Sequence, residues 1–196
     1  MNGFQLIILI IEFKQDVKEI LPYDRKKYLS YSGWYGVSFQ LDSRINEVNL
    51  DNFVKIYDPL FKNIVLKLDK TSSWIVNHED KDLEWFPNDD NNLNTLRSLF
   101  KENHVSNKFV GALIFKSDQI VQFSQELISY PFVVCGKEEL LYKNLDVSSN
   151  VLELVLKISG HLNVDLLSRN KKLLKQIVDA NVSDDFVLKP YKGTSF

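Results

Sequence analysis

The chain has 196 residues, 44% hydrophobic and 26% charged, with 24 basic against 26 acidic side chains and a formal net charge of −2. This is too apolar and too weakly charged for a disordered chain, and it lacks the basic excess of a dedicated nucleic-acid binder. The single cysteine, Cys135, cannot close an intramolecular disulfide, and the longest apolar run, Leu6 to Ile11, falls far short of the about 20 residues a membrane span requires.

That run also lacks a cationic flank and a small-residue cleavage site, so no signal peptide is expected and the reading is cytoplasmic, without membrane attachment. The length predicts one globular domain over 1–196. Such a chain buries roughly 70% of its unfolded surface and needs no staple. Heavy use of Asn, Lys, Ile and Asp, with alanine only at Ala112 and Ala180, points to an AT-rich bacterial or phage genome.

In chain order, residues 5–13 form an Ile-rich apolar run that reads as a buried strand. Val17, Ile20 and Leu21 stand at helical spacing before Pro22, predicting a short helix. Residues 33–41 alternate Trp34, Val37, Phe39 and Leu41 with Ser38 and Gln40, the pattern of a half-buried strand. Residues 49–68 carry Leu50, Phe53, Val54, Tyr57, Leu60, Phe61 and Ile64 along one helical face, with Pro59 expected to kink or split the helix. A short strand is predicted at 74–76 and a helix at 93–102, capped by Asn91 or Asn92. Residues 109–116 are the clearest later strand. Ser117 or Asp118 then caps a helix bearing Ile120, Val121, Phe123 and Leu127, which Pro131 stops.

Residues 132–134 read as a strand, and Asn150 with Glu153 has capping-box spacing for a helix over 151–159 closed by Gly160. Residues 162–167 are strand-like, Asn170 opens a helix through Leu173, Leu174 and Ile177, and 183–196 reads as a C-terminal arm. Strands and helices therefore interleave. The expected class is α/β (mixed α+β), a single domain with a central mixed sheet packed by helices.

Motifs for catalysis are sparse. A phosphate cradle needs glycines where backbone amides turn toward the anion. The nearest stretch, Gly33-Trp34-Tyr35-Gly36, places two bulky aromatics there and reads as sheet core. His78, His104 and His161 lie far apart, and His78-Glu79-Asp80 reads as a loop rather than a metal site. Glu12-Phe13-Lys14 has the ExK spacing of some metal-dependent nucleases, but no acidic residue precedes Glu12 to complete the metal site. Cys135-Gly136 follows an apolar run without a nucleophile signature and reads as structural. The expectation is no catalytic residue, no metal and no cofactor.

One segment stands out. Residues 77–92 hold Glu79, Asp80, Asp82, Glu84, Asp89 and Asp90 against the single base Lys81, around the apolar group Leu83, Trp85, Phe86 and Pro87. Tryptophan dominates interface energetics and surrounding carboxylates steer basic partners. Glu79, Asp80, Asp82, Glu84, Trp85, Asp89 and Asp90 are therefore the candidate partner-binding residues, against the plainer reading of Trp85 and Phe86 as core plugs under a solvated acidic loop.

In size, mild acidity, aromatic content and this acidic segment the chain resembles the small immunity proteins that accompany bacterial toxins, including those of contact-dependent inhibition systems. The resemblance implies a non-enzymatic inhibitor that occupies a basic active-site or substrate surface of a cognate toxin domain. The alternatives are a phage or mobile-element accessory protein, and a metal-dependent hydrolase or nuclease with a site assembled from distant residues.

Overall fold

A computed structural model describes residues 11–25, 28, 30, 33–68, 72–79, 82–88, 91–136 and 140–195. Its strands, in chain order, are β1 (Glu12–Lys14), β2 (Tyr35–Leu41), β3 (Ser73–His78), β4 (Ala112–Lys116), β5 (Leu145–Ser149), β6 (Leu154–Ser159), β7 (Asn163–Ser168) and β8 (Phe186–Pro190). They hydrogen-bond into one sheet in the order β1-β4-β3-β5-β6-β7-β2-β8, with every pairing antiparallel. The described helices are α1 (Val17–Ile20), α2 (Leu50–Leu68), α3 (Asn94–Glu102), α4 (Ser117–Ile120), α5 (Ser124–Val133) and α6 (Lys171–Asp179). The chain is thus a single α+β domain built on one helix-packed sheet.

Alternation along each strand sorts the side chains onto two faces. Val37, Phe39, Trp74, Val76, Leu113, Phe115, Leu156 and Leu166 share one cluster with Phe53, Tyr57, Leu96, Phe100, Leu127 and Ile177, so α2, α3, α5 and α6 cover the same face. The second face carries two small apolar clusters. Val17 of α1 packs on Ile75 and Ala112. Tyr28 and Trp34 pack on Val155 and Leu167, with Tyr23 and Tyr191 against them.

Several expectations are corrected. Helix α2 runs unbroken through Pro59. An interior proline costs about 3 kcal/mol, but Phe53, Tyr57, Leu60, Phe61, Ile64 and Val65 are all buried at about 1.5–3 kcal/mol each. Asp16 caps α1 through the Lys18 amide, and Asn170 caps α6 through the Leu173 amide. At α3, by contrast, neither Asn91 nor Asn92 is the cap. The Glu126 carboxylate of α5 takes the Thr95 and Leu96 amides at 2.8 and 2.7 Å, a tertiary cap at the positive end of the helix.

The helix expected after Ser117 is two, α4 and α5, and Pro131 lies inside α5 rather than beyond its end. Phe132 and Val133 are helical, so no strand forms at 132–134. Residues 151–159 do not form a helix. Their second part is β6, buried on both faces, with Leu154, Leu156 and Ile158 toward the helices. A sequence apolar on both faces fits either period, and the open hydrogen-bonding edges of β5 and β7 select the strand. Strand β5 had no counterpart among the predicted elements. The C-terminal arm contains β8, an edge strand paired with β2 from Val37–Pro190 to Leu41–Phe186. The run at 5–13 lies mostly outside the described residues; β1 begins at Glu12.

Candidate interaction surface

The acidic segment follows β3 and precedes α3 in the chain. Backbone bonds fix its middle. Glu84 forms an isolated antiparallel bridge with Val110, Trp85 N–H donates to Phe109 O at 3.0 Å, and Phe86 N–H donates to Asn107 O at 2.8 Å. A glutamate at the bridge and a tryptophan after it necessarily point to opposite sides, and the apolar ring takes the inner one.

Trp85 is fully buried, its Nε1–H donating to Gly111 O at 3.1 Å. Its ring meets Tyr130 at 5.1 Å and His78 at 5.1 Å between centroids. The Tyr130 hydroxyl donates to the Trp85 carbonyl and lies 3.1 Å from His78 Nε2. The phenol has one proton and gives it to the carbonyl, so His78 Nε2 is the donor of the second bond. Burial pushes the Tyr130 phenol well above its ordinary range, so it stays a donor throughout. Tyr130→Phe removes the hydroxyl that joins the Trp85 carbonyl to His78 Nε2 and is expected to cost about 1–3 kcal/mol, measurable by urea unfolding.

Trp85 is therefore a core plug and offers no contact surface in the folded chain, which corrects its place among the partner-binding residues. Phe86 is buried as well, with the Arg97 guanidinium 4.4 Å over its ring. Two of the carboxylates are spent inside the molecule. Glu79 pairs with Lys157 and accepts from Asn144 Nδ2 at 2.8 Å. Asp82 accepts from Arg25 Nη2 at 3.0 Å. Glu84 is half-buried at the outer rim. Asp80, Asp89 and Asp90 lie outside the described residues. His78 is enclosed by Trp85, Tyr130 and Tyr142, and among the described residues no group of three or more His, Cys, Asp or Glu side chains is placed to hold a metal ion.

A feature absent from the sequence reading lies directly beside Glu84. The chain after α5 folds back on itself: Cys135 bridges Leu141, Gly136 N–H donates to Leu140 O at 2.8 Å, and Tyr142 N–H donates to Val134 O at 2.7 Å. Asn88 Nδ2 ties this fold to the acidic segment through Cys135 O at 3.0 Å. Between the two runs opens a cleft of about 540 Å³, walled by Leu83, Pro87, Val110, Leu140 and Leu141, with Asp82 and Glu84 on one lip and Lys143 on the other. Leu140 is 66% exposed, Leu141 50% and Val110 40%. Contiguous exposed apolar side chains rimmed by polar groups mark interaction sites. The available signal was Leu140-Leu141 between Glu139 and Lys143, a pair of leucines belonging to no helical or strand period.

Two more open grooves flank α2. One, of about 670 Å³, faces α3 and α5 with Asp51, Asp58 and Glu126; the other, of about 500 Å³, faces the turn after α6 with Asn46, Asn63 and Asn181. In the first, Asp58 is satisfied by Lys62 and Ser124, and Glu126 by the amides of α3. Their carboxylates are structural.

No family model matches the chain, and comparison with curated proteins and with solved structures found no similar protein. No helix among the described residues is long and apolar enough to cross a membrane.

Proposed function

We propose that the chain is a non-enzymatic binding protein whose docking surface is the cleft between residues 82–87 and 140–143, and that it acts in the bacterial cytoplasm as an immunity protein on a basic toxin domain. The observation that carries this is the convergence of exposed Leu140, Leu141 and Val110 on one cleft whose acidic lip bears Glu84. Apolar walls with a charged rim are the anatomy of a small interface core. Among the described residues no salt bridge pairs Glu84 with a cation, unlike Glu79 and Asp82, and a carboxylate at the rim favours a cationic partner and speeds its approach. The partner inserts an apolar side chain between Leu140 and Val110 and sets a lysine or arginine against Glu84.

The test compares the tagged wild-type chain with Leu140→Glu/Leu141→Glu in capture from the native host, eluted by rising salt. The wild type is expected to retain a stoichiometric basic protein. The double variant is expected to lose it by about 30-fold or more, the scale of one interface hot spot, with unchanged thermal unfolding because both leucines are exposed. Equal retention by both chains removes the cleft from the interface. Glu84→Lys separates steering from packing: it is expected to lower the association rate and its salt dependence while leaving dissociation nearly unchanged.

A further inference from the structure

The second face of the sheet carries a row of polar side chains at one level. Asn77 is paired in register with Asp146, Asp146 with Lys157, Lys157 with Asp165, and Asp165 with Ser38. All five are buried, and Asp146 is wholly so. This face lies under Tyr23, Tyr28 and Trp34, whose rings meet edge-on at centroid distances of 5.4, 5.2 and 5.4 Å. Two tethers hold these rings to β5: Tyr23 OH donates to Ser148 Oγ and Tyr28 OH donates to Asp146 Oδ1, each at 3.1 Å.

Asp146 Oδ2 and Asn77 Oδ1 have no hydrogen-bond partner among the described residues. The Asn77 amide is oriented by its Nδ2, which donates to His78 O at 2.8 Å. Directly opposed residues on neighbouring strands place their side chains about 5 Å apart at Cβ. The two bare acceptors thus belong to side chains that share one buried face and one register position. Two bare acceptors on directly opposed side chains leave two desolvation costs unmet. One hydrogen on Asp146 Oδ2 removes both, because a protonated carboxyl is a donor and the Asn77 carbonyl oxygen is an acceptor.

The surrounding charges do not oppose that proton strongly. Lys157 approaches from β6, but its ammonium pairs with Glu79. Arg25 approaches from the covering segment, but its guanidinium pairs with Asp82. Glu79 itself repels a charge on Asp146, as does Tyr23 when ionised, while Asp165 stands beyond Lys157. Burial outweighs these cations and lifts the Asp146 carboxyl well above the ordinary range. Glu79 adds to this lift, and Lys157, the Tyr28 hydrogen bond and Arg25 oppose it.

We infer that Asp146 is carried in the folded chain as a neutral acid that donates Oδ2–H to Asn77 Oδ1 while accepting from Tyr28, and that release of its proton loosens the Tyr23–Tyr28–Trp34 cover from the sheet. The ionised carboxylate has no donor for Oδ2 and needs water, and water reaches it by displacing Tyr28. The device is a pH-operated latch on the face opposite α2, α3, α5 and α6.

The test measures folding stability from pH 5 to 9 for the wild type and for Asp146→Asn. The amide is a neutral stand-in whose Oδ1 accepts from Tyr28 and whose Nδ2–H donates to Asn77. In the wild type the folded chain keeps a proton that the unfolded chain sheds near its ordinary value of about 4. Raising the pH therefore weakens folding, by up to tenfold in the equilibrium constant per pH unit, until the folded-state value is passed. Asp146→Asn is expected to lack that one-proton slope, and peptides from 21–34 are expected to exchange amide hydrogens faster in the wild type than in the variant at the same high pH. Parallel stability curves would overturn the inference, and so would a one-proton difference without faster exchange in 21–34. If Asp146→Asn does not fold, the wild-type carboxyl is read directly by ¹³C NMR. A carboxylic-acid signal for Asp146 Cγ at pH 6 supports the latch, and a carboxylate signal there overturns it.

Discussion

Trp85→Ala is expected to destabilise the fold by about 3–5 kcal/mol, the range for emptying a large aromatic from a packed core. The ring is wholly buried against Tyr130, His78 and Phe100, and its Nε1–H is the donor to Gly111 O. Alanine leaves a cavity between the sheet end and α5 and strips a partner from a buried carbonyl. Neither loss is recoverable locally, because backbone bonds to Phe109 and the Tyr130 hydroxyl hold position 85 in place. Denaturant unfolding monitored by far-UV circular dichroism reads the change. Below the variant's own unfolding midpoint, affinity for the partner is expected to be near that of the wild type. A drop in affinity at unchanged stability would instead place Trp85 in the interface and refute its role as a core plug.

Gly111→Ala is expected to cost about 2–4 kcal/mol, combining left-handed backbone strain with overpacking. Gly111 has φ of +142°, and a Cβ there would lie 2.2 Å from Lys14 O and 2.9 Å from the Phe109 ring. The first of these atoms is backbone at the end of β1 and cannot swing away. Relief requires β1 or the 109–111 turn to shift, and that turn carries both the Trp85 acceptor and the Val110 bridge to Glu84. The variant is therefore expected to weaken partner binding as well as folding, since Val110 forms a wall of the cleft. Thermal unfolding and partner affinity measured on one preparation check both effects. Loss of stability with the cleft's affinity intact would show that Val110 does not contribute to docking.

The two variants divide the acidic segment into its supporting and exposed parts, and the division explains what the sequence did and did not disclose. Its composition marked residues 77–92 as unusual, and the cleft does open beside Glu84. Composition could not tell which of Trp85 and Glu84 would face inward, since that depends on the register of a bridge to Val110. Nor could it show that Glu79 and Asp82 would be neutralised. Their partners, Lys157 and Arg25, come from a strand and a segment far away in the chain.

Leu140 and Leu141 escaped notice for a related reason. Two leucines in a row are ordinary core material until the fold-back at 134–142 turns them outward.

The elements legible in the sequence are those whose signal is local. The 3.6-residue recurrence of α2, the alternation of β2, and the Asn170 cap each depend on residues within a few positions of one another, and each stands in the fold as read. The α+β class follows from the same local patterns. Only the tertiary structure decided that 154–159 is a strand, that α3 is capped by Glu126, that 186–190 closes an edge of the sheet, and that Asp146 meets Tyr28 across 118 positions of chain. Periodicity and capping are properties of a few consecutive peptide units. Burial on both faces, charge pairing and the solvation of a carboxyl are set by whichever distant segments arrive beside it.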